Sequence, residues 1–201
     1  MKVIKINLQN TLDTDIHLIA NLLKSGKVLV LPTDTIYGLS AITTNKDSLK
    51  KIYKIKQRSP KTQKHLILLV SDFEMIKQYC KLSNNQQKYL QKEWAKPRAL
   101  TVILKSKTNQ TSKLISDDNG SAIRKPKNDF LLKLIKLTKE PIVSTSLNIT
   151  GQKVLESVNN VNNYFTKTKP DIVIDAGPLP LSKPSRIIDI RNLDNINIIR
   201  N

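Results

Sequence analysis

Lys56 and Arg58 stand two residues apart at the exit of a segment whose apolar residues, Leu49, Ile52 and Tyr53, recur at i, i+3 and i+4. On a helix, Lys56 is the next member of that stripe, at i+7. A lysine there either snorkels past the edge of the core or meets an anion in a cleft. With Arg58 following, where Gln57-Arg58-Ser59-Pro60 leaves the helix, the pair suits a phosphate chain. Lysine would serve as a compact point charge and arginine as a bidentate fork. A solvated basic helix end that meets the macrodipole uses the same residues, so spacing leaves both readings open.

Three apolar runs lead directly into unusual polar sequence. Val28-Leu29-Val30-Leu31 precedes Pro32-Thr33-Asp34-Thr35-Ile36-Tyr37-Gly38-Leu39; Ala122-Ile123 precedes Arg124; Ile142-Val143 precedes Ser144-Thr145-Ser146-Leu147-Asn148-Ile149-Thr150-Gly151. Each alone reads as a turn, because Pro, Asp, Asn, Ser and Gly favour turns. Together they predict one cleft beyond the carboxyl ends of neighbouring strands. No GxxxxGK[ST] loop, GxGxxG, HExxH or CxxC occurs. The histidines are His17, on a helix surface, and His65, at the start of a strand, so no Ser-His-Asp set or metal-ligand cluster is supported.

Positioning these residues requires alternating strands and helices, which the apolar pattern supplies. Strands are expected at 3–6, 28–31, 65–70, 100–104, 122–124, 142–144, 172–175 and 187–190. Ile16, Ile19, Ala20 and Leu23 recur at helical spacing before Gly26, a plausible terminator. A second helix should run from an Asn45 cap to about Lys56, and another over Phe130 to Leu137. Ser71 to Glu74 and Ser83 to Gln86 have capping-box spacing. Residues 105–120 read as a mobile polar surface loop. One compact α/β domain over residues 1–201 is the expectation.

Composition sets the outer limits. The 201 residues carry 34 Lys plus Arg against 16 Asp plus Glu, a net charge of +18. Of the cations 28 are Lys and 6 are Arg, amid many Asn and Ile, so a biased solvated surface explains much of the excess. Attraction to RNA or nucleotide phosphates explains the charge as well. No apolar run approaches the roughly 20 residues of a membrane span, and the N-terminus has no apolar signal core. The lone Cys80 excludes an internal disulfide framework and reads as a small, partly buried hydrophobe. A cytoplasmic setting with no membrane partner is expected.

The polar segments resemble, in order, the motifs of the YrdC-like threonylcarbamoyl-AMP synthase family. Pro32 to Leu39 resembles its signature, Lys56-Gln57-Arg58 its K-x-R element and Ser146-Leu147-Asn148 its S-x-N element. Ala122-Ile123-Arg124-Lys125-Pro126 resembles its arginine-bearing strand end, and Pro184-Ser185-Arg186-Ile187-Ile188-Asp189 its final serine motif. The resemblance covers about residues 3–190. It implies a single-domain twisted open mixed sheet flanked by helices, with a basic central cleft. It also implies condensation of L-threonine, bicarbonate and ATP to threonylcarbamoyl-AMP and pyrophosphate. That product serves threonylcarbamoyladenosine modification of tRNA through a downstream threonylcarbamoyl transferase complex. Lys56 and Arg58 are then the catalytic candidates. ATP would meet these two with Thr101, Ser146, Asn148 and Ser185, and threonine would meet Thr35, Arg124 and Ser144. Mg²⁺ would arrive mainly on the ATP phosphates, with no protein metal site. Such phosphoryl chemistry needs positioning and charge rather than a protein nucleophile.

Several positions depart from the family pattern. Arg98 stands for a glycine and is a further candidate cation in the cleft; Leu147 is bulkier than usual, while Thr150 keeps the family's hydroxyl. Arg186 replaces a threonine, and Lys64-His65 stands where a proline commonly precedes the strand. The length matches the short form of the family, so threonine is the expected acceptor rather than the substrates of longer carbamoyltransferases. A non-catalytic RNA-binding or ribosome-associated module, using the same basic concavity, is the alternative, and adenylation of another small amine or carbamoyl compound in the same cleft a third possibility.

Overall fold

The computed structural model describes residues 1–59, 66–107, 114–116, 120–180 and 182–201. Its strands are β1 (Lys2–Lys5), β2 (Leu29–Leu31), β3 (Gly38–Ile42), β4 (Ile67–Leu69), β5 (Leu100–Leu104), β6 (Ser121–Arg124), β7 (Ile142–Ser146), β8 (Ile172–Asp175), β9 (Arg186–Asp189) and β10 (Asn197–Arg200). Its helices are α1 (Asp13–Lys24), α2 (Lys46–Ile55), α3 (Phe73–Tyr79), α4 (Asn84–Ala95), α5 (Asp129–Thr138) and the short α6 (Val161–Tyr164).

Local chemistry sets the helix ends. Asn45 caps α2 by accepting from the Ser48 N–H, and Ser83 with Gln86 closes a full capping box on α4. At α3 the expected cap moves by one residue. Asp72 accepts from the Met75 N–H at 2.8 Å, while Ser71 donates to Asp72. Ile16, Ile19, Ala20 and Leu23 form the buried stripe of α1, which packs against α5 and β3.

All ten strands join one mixed sheet in the order β1-β8-β2-β3-β7-β4-β6-β5-β9-β10. Its register explains how one face is core and the other is a site. Across the middle strands Ala41, Val143, Leu68, Ile123, Val102 and Ile188 lie in one row, and all are buried apolar side chains. One residue along each strand, Ser40, Ser144, Ile67, Ala122, Ile103 and Asp189 form the next row, facing the opposite way. α2 packs on β3.

Two strands escaped the sequence reading. Gly38–Ile42 was assigned to polar loop as far as Leu39, yet it pairs with β2 and β7 and is wholly buried. Asn197–Arg200, beyond the last strand expected from the apolar pattern, pairs antiparallel with β9. The expected strand at 65–70 is β4, and His65 lies outside the described residues with the rest of 60–65, Lys64 included. Much of the expected 105–120 surface loop lies outside them too. Within the described part Ile115 is buried in the core, and the Tyr53 hydroxyl donates to the Leu114 carbonyl. Cys80 is fully rather than partly buried, which pushes its thiol pKa up to about 12.

Candidate functional site

The cleft lies over a sheet face, not beyond a carboxyl edge. β2 and β7 are each antiparallel to β3 and so run in the same direction, whereas β4, and β6 parallel to it, run the opposite way. The carboxyl ends of β6 and β7 are therefore at opposite edges of the sheet. A 680 Å³ cavity sits instead on the polar row and its neighbours. Ile67, Leu69, Ala122, Arg124, Ser144, Ser146, Ile103, Ile187 and Asp189 enter from alternate strand positions, and Thr33 to Gly38 form another wall.

Lys56 is the C-cap of α2 and only 3% exposed. Its ammonium neither snorkels nor waits for an anion alone. Nζ donates to the carbonyl of Ser146 at 2.8 Å, to Asn148 Oδ1 at 2.9 Å and to the Asn148 carbonyl at 3.0 Å. Burial first, and then the neighbouring Arg58 charge, lower its pKa to about 7. The return contact comes from Thr150, whose N–H donates to the Lys56 carbonyl. Asn148 is equally engaged, since Nδ2 donates to the carbonyls of Ile149 and Gln152 and Oδ1 also accepts from Ser146 Oγ at 2.6 Å. Leu147 points into the core, so its extra bulk stays out of the cavity, while Thr150 lines it. Arg58 also lines the cavity, its guanidinium 4.8 Å from the Tyr53 ring centre.

A second group surrounds Arg124. Nη2 donates to Asp34 Oδ1 at 2.5 Å and Nη1 to Thr35 Oγ1 at 3.2 Å, with both side chains of the ion pair under a tenth exposed. Thr33 Oγ1 organises the turn beside them by accepting from the Thr35 and Ile36 N–H groups and donating to the Ile36 carbonyl. Ser144 Oγ sits against Gly38, where a Cβ would come within 2.4 Å of it, and it makes no hydrogen bond among the described residues. The Tyr37 hydroxyl ties this wall to the end of β8 through Gly177 and Ala176.

The third group joins Ser185, Thr101 and Arg200. Thr101 Oγ1 and Ser185 Oγ are 2.8 Å apart, and Arg200 donates to the Ser185 carbonyl and hydroxyl. Ser185 lines the cavity, while Thr101 lies one hydrogen bond behind it. Burial and then the Arg124 charge lower the Arg200 pKa, so two guanidinium groups feel one another across the site.

Every residue expected from sequence to bind ATP or threonine therefore lines this cavity or, like Thr101, supports it, but the further candidate cation does not. Arg98 is exposed and outside the cavity. The cations that sequence reasoning missed are Arg191 and Arg200. Among the described residues, Lys56, Arg58, Arg124, Arg191 and Arg200 line the cavity against one carboxylate, Asp189, which Arg191 holds through both oxygens. No buried apolar alternation marks the last strand, which carries Arg200. The described residues contain no group of three or more His, Cys, Asp or Glu side chains suited to a metal ion, and no helix long and apolar enough to cross a membrane.

Comparison with known proteins identifies the arrangement. The Sua5/YciO/YrdC family model, described as telomere recombination, matches residues 21–201. A threonylcarbamoyl-AMP synthase of Buchnera aphidicola is 33% identical over 175 residues, covering 85% of this chain and 96% of that protein. The structure of Pyrococcus abyssi Sua5 complexed with L-threonine superposes with a TM-score of 0.82 at 28% identity, over 94% of this chain and 54% of that one. Escherichia coli YciO shares the fold with a TM-score of 0.82 at 24% identity, over 100% of this chain and 94% of its own. The chain thus spans about half of the archaeal Sua5 and nearly all of the shorter relatives.

Proposed function

The chain belongs to the Sua5/YciO/YrdC family, and on that basis we propose that it is a threonylcarbamoyl-AMP synthase. As a nucleotidyltransferase, it would join L-threonine, bicarbonate and ATP. The threonine amine captures carbon dioxide or bicarbonate as a carbamate. A carbamate oxygen then attacks the α-phosphorus of ATP, the bond to the bridging oxygen breaks, and pyrophosphate leaves. One observation supports this reading above the rest: a single cavity combines five cations with hydroxyl and amide groups from three motifs and needs no protein nucleophile.

Threonine is assigned to Arg124, Thr35 and Ser144, with the guanidinium meeting its carboxylate. ATP is assigned to Arg58, Ser146 and Ser185, with Thr101 behind Ser185. Lys56 and Asn148 act differently from simple phosphate ligands, because their polar atoms already hold the 146–152 turn. Lys56 adds positive charge through the low-dielectric interior, and a bound polyphosphate favours its protonated form. Mg²⁺ belongs to the MgATP substrate, consistent with Asp189 being held by Arg191. The product is a labile mixed anhydride, so a downstream transferase complex acting on tRNA in the cytoplasm is the proposed consumer. The RNA-binding alternative is not favoured, since the basic groups singled out point into a cavity of small-molecule size.

The test is pyrophosphate release with ATP, Mg²⁺, bicarbonate and threonine, omitting each in turn, alongside a panel of other amino acids. Release should need every component and should fall sharply in Arg58→Ala. Threonine-independent release, or full activity in that variant, overturns the assignment.

A further inference from the structure

Asp34 looks at first like an ordinary turn former, but the turn does not use it. Thr33 Oγ1 makes the hydrogen bonds that close residues 33–36. Both Asp34 carboxylate oxygens instead reach across the chain to the end of β6. Oδ1 accepts from Arg124 Nη2 at 2.5 Å and Oδ2 accepts from the Lys127 N–H at 3.0 Å. The carboxylate is only 8% exposed, so solvent screens its contact with Arg124 weakly. Thr35, the next residue, takes Nη1 of the same guanidinium.

A free arginine side chain spreads over many rotamers, and immobilising it costs conformational entropy. Here much of that ordering is built into the fold, with only Nε of the guanidinium making no hydrogen bond among the described residues. Asp34 and Thr35 hold two nitrogens of one planar fork, and the Lys127 contact stops Asp34 from moving independently of β6. Resting on the synthase reading above, we propose that Asp34 is the positioning residue of the amino-acid subsite. It aims Arg124 so that the carboxylate of the amino-acid substrate is recognised by direction rather than by net charge. The Arg124–Asp34 pair is neutral overall.

This makes the sign of one substitution diagnostic. Asp34→Asn removes a negative charge beside an anion site, and charge alone would then tighten threonine binding. If positioning dominates, the loosened guanidinium weakens it. The expected result is a threonine KM at least tenfold higher in Asp34→Asn, with the ATP KM within about twofold of wild type. Asp34→Glu keeps the charge but shifts the carboxylate by one methylene, and it should also raise the threonine KM. It stands in if the Asn variant does not fold. An unchanged or lower threonine KM in the folded variants, or a parallel rise in both KM values, overturns the inference. If the wild-type protein shows no threonine-dependent pyrophosphate release, the synthase reading itself has failed. The two failures are therefore separable.

Discussion

Replacing Gly38 with alanine probes the closest contact in the candidate threonine subsite. The new Cβ would lie 2.4 Å from Ser144 Oγ and 3.2 Å from the Thr145 carbonyl oxygen. Ordinary carbon contacts begin near about 3.5 Å, so the first overlap is on the order of 1 Å. The hydroxyl can escape by moving to another staggered rotamer, whereas the Thr145 carbonyl is held by the β3–β7 pairing. Overpacking of this kind costs about 1–3 kcal/mol, and the alanine recovers roughly 0.5–1 kcal/mol of strand propensity. The net loss is about 1–2 kcal/mol. At roughly 2.1 cal/mol/K of unfolding entropy per residue, 201 residues convert this to a Tm lower by about 2–5 °C. The threonine KM should rise as well, because the Ser144 hydroxyl leaves the position in which the cavity wall holds it. Thermal melts and threonine-dependent pyrophosphate release on Gly38→Ala, Ser144→Ala and the double variant separate the two effects. With Ala at 144 the 2.4 Å contact no longer exists but the 3.2 Å approach to the Thr145 carbonyl remains, so Gly38→Ala should cost less in that background without becoming neutral. An equal Tm loss in both backgrounds, or an unaltered threonine KM in Gly38→Ala, would refute the reasoning.

Lys56 should leave a signature in the pH dependence of stability. Its folded pKa of about 7 lies below the 10.5 of the exposed group, so between those values the unfolded chain binds more protons. The Lys56 contribution to stability therefore rises with pH from about 7 to 10.5. The difference in unfolding free energy between wild type and Lys56→Met, followed by denaturant titration from pH 7 to 9.5, should grow in favour of wild type; a flat difference would contradict the assigned burial. Arg200→Ala removes the donor that holds the Ser185 carbonyl and hydroxyl, and it should weaken ATP more than threonine. Titrations with each substrate check this, and equal losses for both would count against the division of the cavity.

The legibility of the sequence followed the strength of its periodicity. α1, α2 and β5 were readable because a buried stripe, an Asn cap or a continuous apolar run each arises from local physics. β3 was not, because Gly38 and Ser40 break the expected apolar signal. Gly38 lines the cavity against Ser144, Ser40 is fully buried, and the strand is held by pairing on both sides. β10 was hidden for the opposite reason: it is an exposed edge strand, in which Ile198 and Ile199 give no buried alternation. The placement of the cleft was also beyond sequence, because strand direction is a property of topology. Arg124 was sought beside the carboxyl ends of β2 and β7 and reaches Asp34 and Thr35 from a strand running the other way.

The deeper difference concerns what a conspicuous polar residue does. The family resemblance marks Lys56, Asn148 and Arg124 as residues whose polar groups meet a ligand. In the folded chain each already satisfies neighbours: Lys56 and Asn148 close the 146–152 turn, and Arg124 holds Asp34 and Thr35. A buried polar group left without partners would cost about 1–3 kcal/mol, so a cavity built from several such groups must largely satisfy them internally. What remains for substrate is a fixed field and a few exactingly placed donors. Ser144, without a hydrogen bond among the described residues, is one of these, and its neighbour Gly38 explains why it can be there. Phosphoryl transfer depends on such preorganisation rather than on reactive side chains. The interlocked state of Lys56 and Asn148 is therefore compatible with the roles proposed for them on the ATP side of the cavity. Their removal should disturb the geometry of the whole ATP side of the cavity, not delete one isolated contact.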